Sequence, residues 1–167
     1  MEKYISEKEK ASYGFAAVGS YMVAGITQSY LMYFFTDILI IPSAFVMMLM
    51  IVARVWDALN DPMMGVIVDR TSTKYGKMRP YVLVGSFLML FTTIVLFMPL
   101  TGAPTMFKMI FAAVSYIIFG MAYTLTDVPA MGLMSVATPN SDERASLLSF
   151  YVTVGSVGSL LPVGLLT

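Results

Sequence analysis

The sequence has no cysteine, no histidine and a single tryptophan, Trp56. Without thiols there is no disulfide, no thiolate nucleophile and no cysteine-held zinc, and without imidazole there is no histidine proton relay. A catalytic site built on a nucleophile and its base is therefore not expected, so the chain does not read as an enzyme, and no cofactor is implied. Charge is also scarce. Only 12% of the 167 residues are charged and the formal net charge is +0, against about 25% charged residues in ordinary soluble domains. A balanced, sparse charge offers nothing to nucleic acid. The opening MEKYISEKEK is too charged to be the apolar stretch of a cleavable leader.

What is present in quantity is apolar surface, 58% of the residues. It is arranged in runs at least as long as the ~20 residues needed to cross a bilayer. After a charged terminus (residues 1–10), five spans are expected at about 11–41, 44–68, 81–100, 106–137 and 146–167. The runs are too long for strands, so the expected fold is all-α and membrane-integral, with the lipid bilayer as first partner. The short turn at 42–43 and TGAPT (101–105) join spans on one side, and the polar loops 69–80 and 139–144 join them on the other. In PNSDERAS, Ser141 is expected to cap the fifth helix. Lys3, Lys8 and Lys10, then Arg70, Lys74, Lys77 and Arg79, then Arg144 fall on the terminus and the polar loops, while Lys108 alone borders the opposite side. That asymmetry predicts a multi-pass cell-membrane protein with its amino terminus and even-numbered loops in the cytoplasm.

The second span contains the anomaly. Residues 51–79, IVARVWDALNDPMMGVIVDRTSTKYGKMR, begin as an apolar helix yet carry Arg54, Asp57, Asn60 and Asp61, and residues 54, 57 and 61 recur on one helical face. An ionised side chain at the bilayer centre costs about 2.5–3.5 kcal/mol on insertion scales, so such a cluster must be paired, face water or serve a function. Asp57 and Asp61, one turn apart, repel when both are ionised. A proton relieves that repulsion, and so does a hard cation such as Na⁺ or Li⁺, which takes several oxygen ligands. The plainer reading makes Arg54 a charge partner and the cluster a glue between helices. The sixteen methionines read as packing rather than soft-metal ligands. Pro62 and Pro129 follow Asp61 and Asp127 closely and are expected to distort the helix there. Gly155, Gly158 and Gly164 suit tight helix packing.

The run ARVWDALNDPMMGVIVDRTSTKYGKMRP closely resembles the second helix and following loop of the glycoside–pentoside–hexuronide:cation symporters, the melibiose-permease group of the major facilitator superfamily. SYGFAAVG, YLMYFFTD and GMAYTLTDVPAMGL look like that family's first and fourth helices at matching intervals. The resemblance implies two six-helix halves. This chain would then supply about five of twelve helices, ending before helix 6, with the carboxyl-terminal half as its missing partner. It implies a secondary symporter that couples Na⁺, Li⁺ or H⁺ to uptake of a small polar solute, a sugar or glycoside, by alternating access. The competing reading is a transport-inactive membrane fragment with a structural or assembly role.

By the same resemblance, Asp57, Asn60, Asp61 and Thr124 match the cation ligands, with Na⁺ or Li⁺ held at Asp57, Asn60 and Asp61. Asp127 matches an acidic solute ligand on helix 4, although pairing with Arg54 or a relay of the cation would also account for a carboxylate there. Tyr21, Gly25 and Gln28 form a polar stripe on helix 1, and Tyr123 adjoins Thr124, which makes Tyr21, Gln28 and Tyr123 further solute candidates. Tyr21, Met131 and Val152 stand where melibiose permeases carry an acid, a tryptophan and an arginine, departures that bear on solute identity. The loop with Gly65, Asp69, Arg70, Gly76, Lys77 and Arg79 resembles the superfamily's conformational signature. Gly65 is expected to allow close helix approach, Gly76 a tight turn, and the charged residues to latch helix ends or simply anchor them.

Overall fold

The computed structural model describes residues 4–166; residues 1–3, including Lys3, and Thr167 at the end of the expected fifth span lie outside it. The elements in chain order are α1 (Glu7–Tyr33), a π-helical turn (Phe34–Ile38), α2 (Ser43–Arg70), α3 (Arg79–Leu96), α4 (Thr105–Val136) and α5 (Ser141–Leu166). Among the described residues there is no strand, as the long apolar runs require. Among the described residues four stretches are long and apolar enough to cross a membrane: α2, α3, α4 and Ser141–Pro162 of α5. The chain is a multi-pass membrane protein. Helix α1 is not among the four, since it opens on Glu7, Lys8, Glu9 and Lys10 and carries Ser12, Ser20, Thr27 and Gln28 along its length.

Local chemistry moves three boundaries from their expected places. Helix α1 starts inside the charged terminus because Ser6 and Glu9 form a reciprocal capping box. The Ser6 N–H and hydroxyl both donate to Glu9 Oε2 at 2.9 Å, and the Glu9 N–H donates back to Ser6 Oγ at 3.2 Å. The Ser6 backbone N–H, and then its hydroxyl, hold the Glu9 carboxyl below the usual glutamate value. The box is therefore intact above the ordinary carboxylate range and is lost as pH falls through the lowered value. The cap of α5 is Asn140, not Ser141: Asn140 Oδ1 accepts the N–H groups of Asp142 at 2.9 Å and Glu143 at 3.5 Å. A shorter serine one position later sits within the first turn and cannot reach those donors. Helix α3 ends at Leu96 rather than near residue 100, ahead of Pro99, which biases its predecessor away from helical geometry. Pro62, Pro129 and Pro162 all lie inside helices that continue through them.

The chain divides into two compact units, the first made of Met1–Ser29 with Ala130–Thr167 and the second of Tyr30–Pro129. In the first unit a core of Ile5, Ala17, Met134, Leu147 and Tyr151 is sealed by Tyr13, Tyr21 and Leu148. Helix α1 runs close along α5 there, because a Cβ added to Gly25 would lie 2.5 Å from the Ser159 carbonyl oxygen and one added to Gly158 would lie 2.9 Å from Val18 Cα. Gly164, by contrast, faces open space. One end of this unit is tied by Glu143, whose two carboxylate oxygens accept the Ile5 N–H at 3.0 Å and the Thr138 hydroxyl at 2.7 Å. Arg144 Nη2 adds a bond to the Thr138 carbonyl at 3.0 Å.

In the second unit the π turn folds the end of α1 toward α2. The Leu39 N–H donates to Phe34 O at 3.0 Å and the Ile41 N–H to Phe35 O at 2.9 Å. Lys108, only 7% exposed, donates to the Leu39 carbonyl at 3.1 Å and so satisfies an oxygen the ending helix would otherwise orphan. Phe35, Leu39, Val46, Leu96 and Ala112 of this unit are wholly buried. The turn closes through Ile40 at φ +58, a left-handed conformation that a β-branched side chain adopts at a cost of about 1–2 kcal/mol. Ile40 is also 73% exposed, so its side chain contributes little burial in return. Ile40→Gly is expected to stabilise the chain by about 1 kcal/mol in thermal unfolding; a lowered melting temperature would contradict this account of the turn.

Candidate cation and solute site

Within the second unit, α2 and α4 bring together most of the residues singled out on α2 and α4. Thr124 Oγ1 donates to Asp61 Oδ1 at 2.8 Å, which joins the two helices. Thr124 is buried, whereas Asp61 is exposed beyond that bond. One turn earlier, Asp57 lies against α4 at Gly120, where an added Cβ would stand 3.1 Å from Asp57 Oδ1. Any side chain larger than glycine at 120 therefore crowds that carboxylate. Arg54 reaches Asp57 Oδ2 at 3.8 Å, with 70% of its own side chain exposed and 32% of that of Asp57. That is a loose contact, so Arg54 tempers one carboxylate without closing the site. Asn60 is half-buried beside Asp61.

Asp127 lies one turn beyond Thr124 on α4, and its Oδ1 is buried without a hydrogen-bond partner. The ion pair with Arg54 that would have explained this carboxylate is not formed, since Arg54 turns to Asp57. A buried acceptor left unpaired is costly, which marks this atom as waiting for a donor. Tyr123 is half-buried on the same helix, its ring 6.4 Å from that of Phe119. Helix α3 backs this region closely. A Cβ on Gly85 would meet Thr126 Oγ1 at 2.5 Å and the Leu125 carbonyl carbon at 3.1 Å. Pro129 lacks the N–H that would otherwise bond the Leu125 carbonyl, so α3 packs where α4 has lost a helical bond.

Among the described residues no three acidic side chains converge into a metal-ligand group. The oxygen groups on these faces are the carboxylates of Asp57 and Asp61 and the Thr124 hydroxyl bonded to Asp61. That composition suits a singly charged cation or a proton better than a divalent ion.

In the first unit, Tyr21 and Gly25, two of the three residues of the polar stripe on α1, face α5, and Gln28 is exposed. A Cβ on Gly155 would lie 2.8 Å from the Tyr21 ring, which also meets Tyr151 edge-on with centroids 6.0 Å apart. The stripe is thus a packing seam for two of its positions and exposed at the third.

The loop between α2 and α3 is ordered by its own groups. Gly76 takes φ +93, as a tight turn requires. Lys77 Nζ donates to the Asp69 backbone carbonyl at 3.1 Å, so within this chain its partner there is the main chain. The Thr71 and Tyr81 hydroxyls lie 2.6 Å apart. Asp69, Arg70 and Arg79 are exposed. Gly65 does not mark a close approach among the described residues, because nothing lies within 4 Å of its added Cβ.

Sequence reasoning passed over Glu143, Lys108 and Gly85. Each acts on a neighbour distant in sequence, and no local pattern announces such a contact. The one available signal was Lys108 itself, a lone basic residue at an otherwise uncharged boundary.

The sequence profile of the family described as MFS/sugar transport protein matches residues 12–166. An uncharacterized symporter of Bacillus subtilis (strain 168), YjmB, is 36% identical over 161 residues, and the inner membrane symporter YicJ of Escherichia coli (strain K12) is 36% identical over 157. An isoprimeverose transporter of Lactiplantibacillus pentosus is 31% identical over 154 residues. These similarities cover 95%, 94% and 92% of this chain but 35%, 34% and 32% of the relatives. The chain spans about a third of their length.

The bond from Thr124 to Asp61 generates a direct test. Thr124→Val is expected to cost about 1 kcal/mol of stability in the wild-type background and nothing further when Asp61 is already alanine. Equal costs in both backgrounds would show that the bond does not join the helices.

Proposed function

The chain belongs to the family of MFS/sugar transport proteins, and on that premise we propose that it forms part of a cation-coupled symporter for a sugar or glycoside. The observation that carries this reading is the pairing of a bridged carboxylate with an unpartnered one on the same two helices. Asp61 is held by Thr124 at 2.8 Å, while Asp127 Oδ1, one turn along α4, is buried and has no partner. In this reading Na⁺, Li⁺ or H⁺ is a transported species, taken by Asp57, Asn60 and Asp61 with Thr124 as a neutral ligand. Asp127 accepts hydroxyl hydrogens from the solute, with Tyr123 on the same helix; Tyr21 and Gln28 are the further solute residues that the resemblance implies on α1.

The spacing along α4 supports coupling. Thr124 and Asp127 are separated by one turn of a single helix, so a cation that orders the Thr124 turn also orders the carboxylate presented to the solute. Each ligand then favours the other by the same factor. In the complete transporter the charged loop Asp69, Arg70, Lys77 and Arg79 latches helix ends, with Gly76 forming its turn and Gly65 at the end of α2 that leads into it, and a second half rocks against this one in alternating access. Crossing by α1 as a fifth span, an amino terminus in the cytoplasm and residence in the inner membrane complete the topology.

Trp56 adjoins Asp57, is the only tryptophan in the chain and is exposed, so its fluorescence reports on this site. Titration of the purified protein with Na⁺ or Li⁺ is expected to change Trp56 emission saturably, with K⁺ inert. Isoprimeverose, the sugar named for one relative, should tighten the Na⁺ midpoint by the factor by which Na⁺ tightens the sugar's. A Trp56 signal identical with Na⁺, Li⁺ and K⁺, and unchanged by Asp61→Asn, would overturn the cation site. A cation response that no sugar alters would leave a membrane fragment without coupled transport.

A further inference from the structure

Resting on the reading of Asp57 as a cation ligand, we propose that Tyr116 is a positioning residue for cation binding, whose hydroxyl holds the Arg54 guanidinium off Asp57 and so keeps that carboxylate open to a small monovalent cation. Two contacts fix the register of α2 against α4. Thr124 bonds Asp61, and Gly120 stands against Asp57, each pair 63 positions apart in the chain. The two helices therefore run in the same direction and in step over these turns. One turn toward their amino-terminal ends, the same offset brings Tyr116 level with Ala53, the residue before Arg54. Burial agrees with that register. Ala53 is buried, as are Leu49 and Ala112, which the offset pairs one turn further back, and Tyr116 itself is half-buried. Helical side chains lean toward the amino-terminal end of their helix, so Arg54 and Tyr116 extend the same way, ahead of Asp57. The charges of Arg54 and Asp57 both act on the Tyr116 hydroxyl, that of Arg54 the more strongly.

The chemistry of these groups explains why Asp57 needs such a neighbour. A guanidinium three residues before a carboxylate on one helix can close on it at about 2.7–2.9 Å. Arg54 does not: its Nη1 stops 3.8 Å from Asp57 Oδ2, with 70% of the side chain exposed. Full closure would make Arg54 a tethered competitor for any cation that Asp57 is to bind, since a guanidinium is always charged. A phenol oxygen accepts guanidinium N–H groups and brings no charge to neutralise them. Tyr116 thus draws Arg54 aside without cancelling it. From there the guanidinium tempers the repulsion between Asp57 and Asp61, while the Asp57 oxygens stay available to a hard ion that needs direct oxygen contact.

The test measures Na⁺ binding to the purified chain by isothermal titration calorimetry, with K⁺ holding ionic strength constant. Tyr116→Phe keeps the ring and removes only the hydroxyl. It is expected to raise the Kd for Na⁺ about fivefold, the size of a partly exposed ion pair formed in competition. Arg54→Met removes the competitor, so adding Tyr116→Phe to that background should leave the Kd within about twofold of Arg54→Met alone. Losses of equal size in both backgrounds, or no loss with Arg54 present, overturn the role of Tyr116. Thermal unfolding of the same four proteins without Na⁺ tests the contact independently of any bound ion. Tyr116→Phe should lower the melting temperature by about 2 °C with Arg54 present and leave it unchanged in Arg54→Met; additive shifts overturn the contact. A parent chain that gives no Na⁺ heat contradicts the cation-site reading on which this assignment rests, an outcome the unfolding cycle separates from failure of the Tyr116 contact.

Discussion

Ionisable side chains placed within a hydrocarbon-length helix are the constraint on which this structure turns. Helix α2 carries Arg54, Asp57, Asn60 and Asp61 in a stretch otherwise apolar enough to cross a membrane. Nothing in lipid can solvate them, so the fold must supply partners or leave them facing water. It does both. Thr124 reaches across from α4 to Asp61, Gly120 lets Asp57 come against α4, and Arg54 lends a loose positive charge. What remains unsatisfied, Asp127 Oδ1 and the exposed side of Asp61, lies beside these contacts on the same two helices.

The rest of the second unit reads as support for that arrangement. Gly85 lets α3 pack onto α4 at Leu125 and Thr126, next to the turn that carries Thr124 and Asp127. At the other end, Lys108 and the π turn fix how α1 leads into α2. The first unit solves its packing differently, with glycines along α5 admitting Val18 and Tyr21, and with Glu143 fastening the segment before α1 to the loop before α5. Small residues do in α5 what the hydrophobic effect cannot do between helices in lipid, where close approach and dispersion must hold them together.

Much of this was legible in the sequence because membrane constraints are written locally. Apolar runs of bilayer length gave the all-helical fold, and Asp57, Asp61 and Asp127 stood out because a carboxylate in such a run is rare, while Thr124 was marked only by the family resemblance. Spacing alone placed Thr124 and Asp127 one turn apart. What the sequence hid were contacts between distant segments and competitions decided by reach. Ser141 looked like a cap, yet Asn140 has the side-chain length and position to bond both Asp142 and Glu143. Gly65 looked like a contact and is not one among the described residues, while Gly85 passed unremarked and is. A glycine announces its backbone freedom, not which neighbour it meets. Tyr21 and Gly25 formed a polar stripe by spacing, but the same periodicity serves a helix seam, and at those positions α5 takes the face.

The measurement that bears most directly on the cation site is thermal unfolding of the purified chain in detergent across Na⁺ concentrations at constant ionic strength, comparing wild type with the Asp57→Asn, Asp61→Asn double variant. Ligand that binds only the folded state raises stability with the logarithm of its concentration. A sodium-specific rise in melting temperature, absent from the double variant and not reproduced by K⁺, is the predicted result. Melting temperatures that are flat with Na⁺, or that rise equally in wild type and variant, would contradict a cation site assembled by α2 and α4.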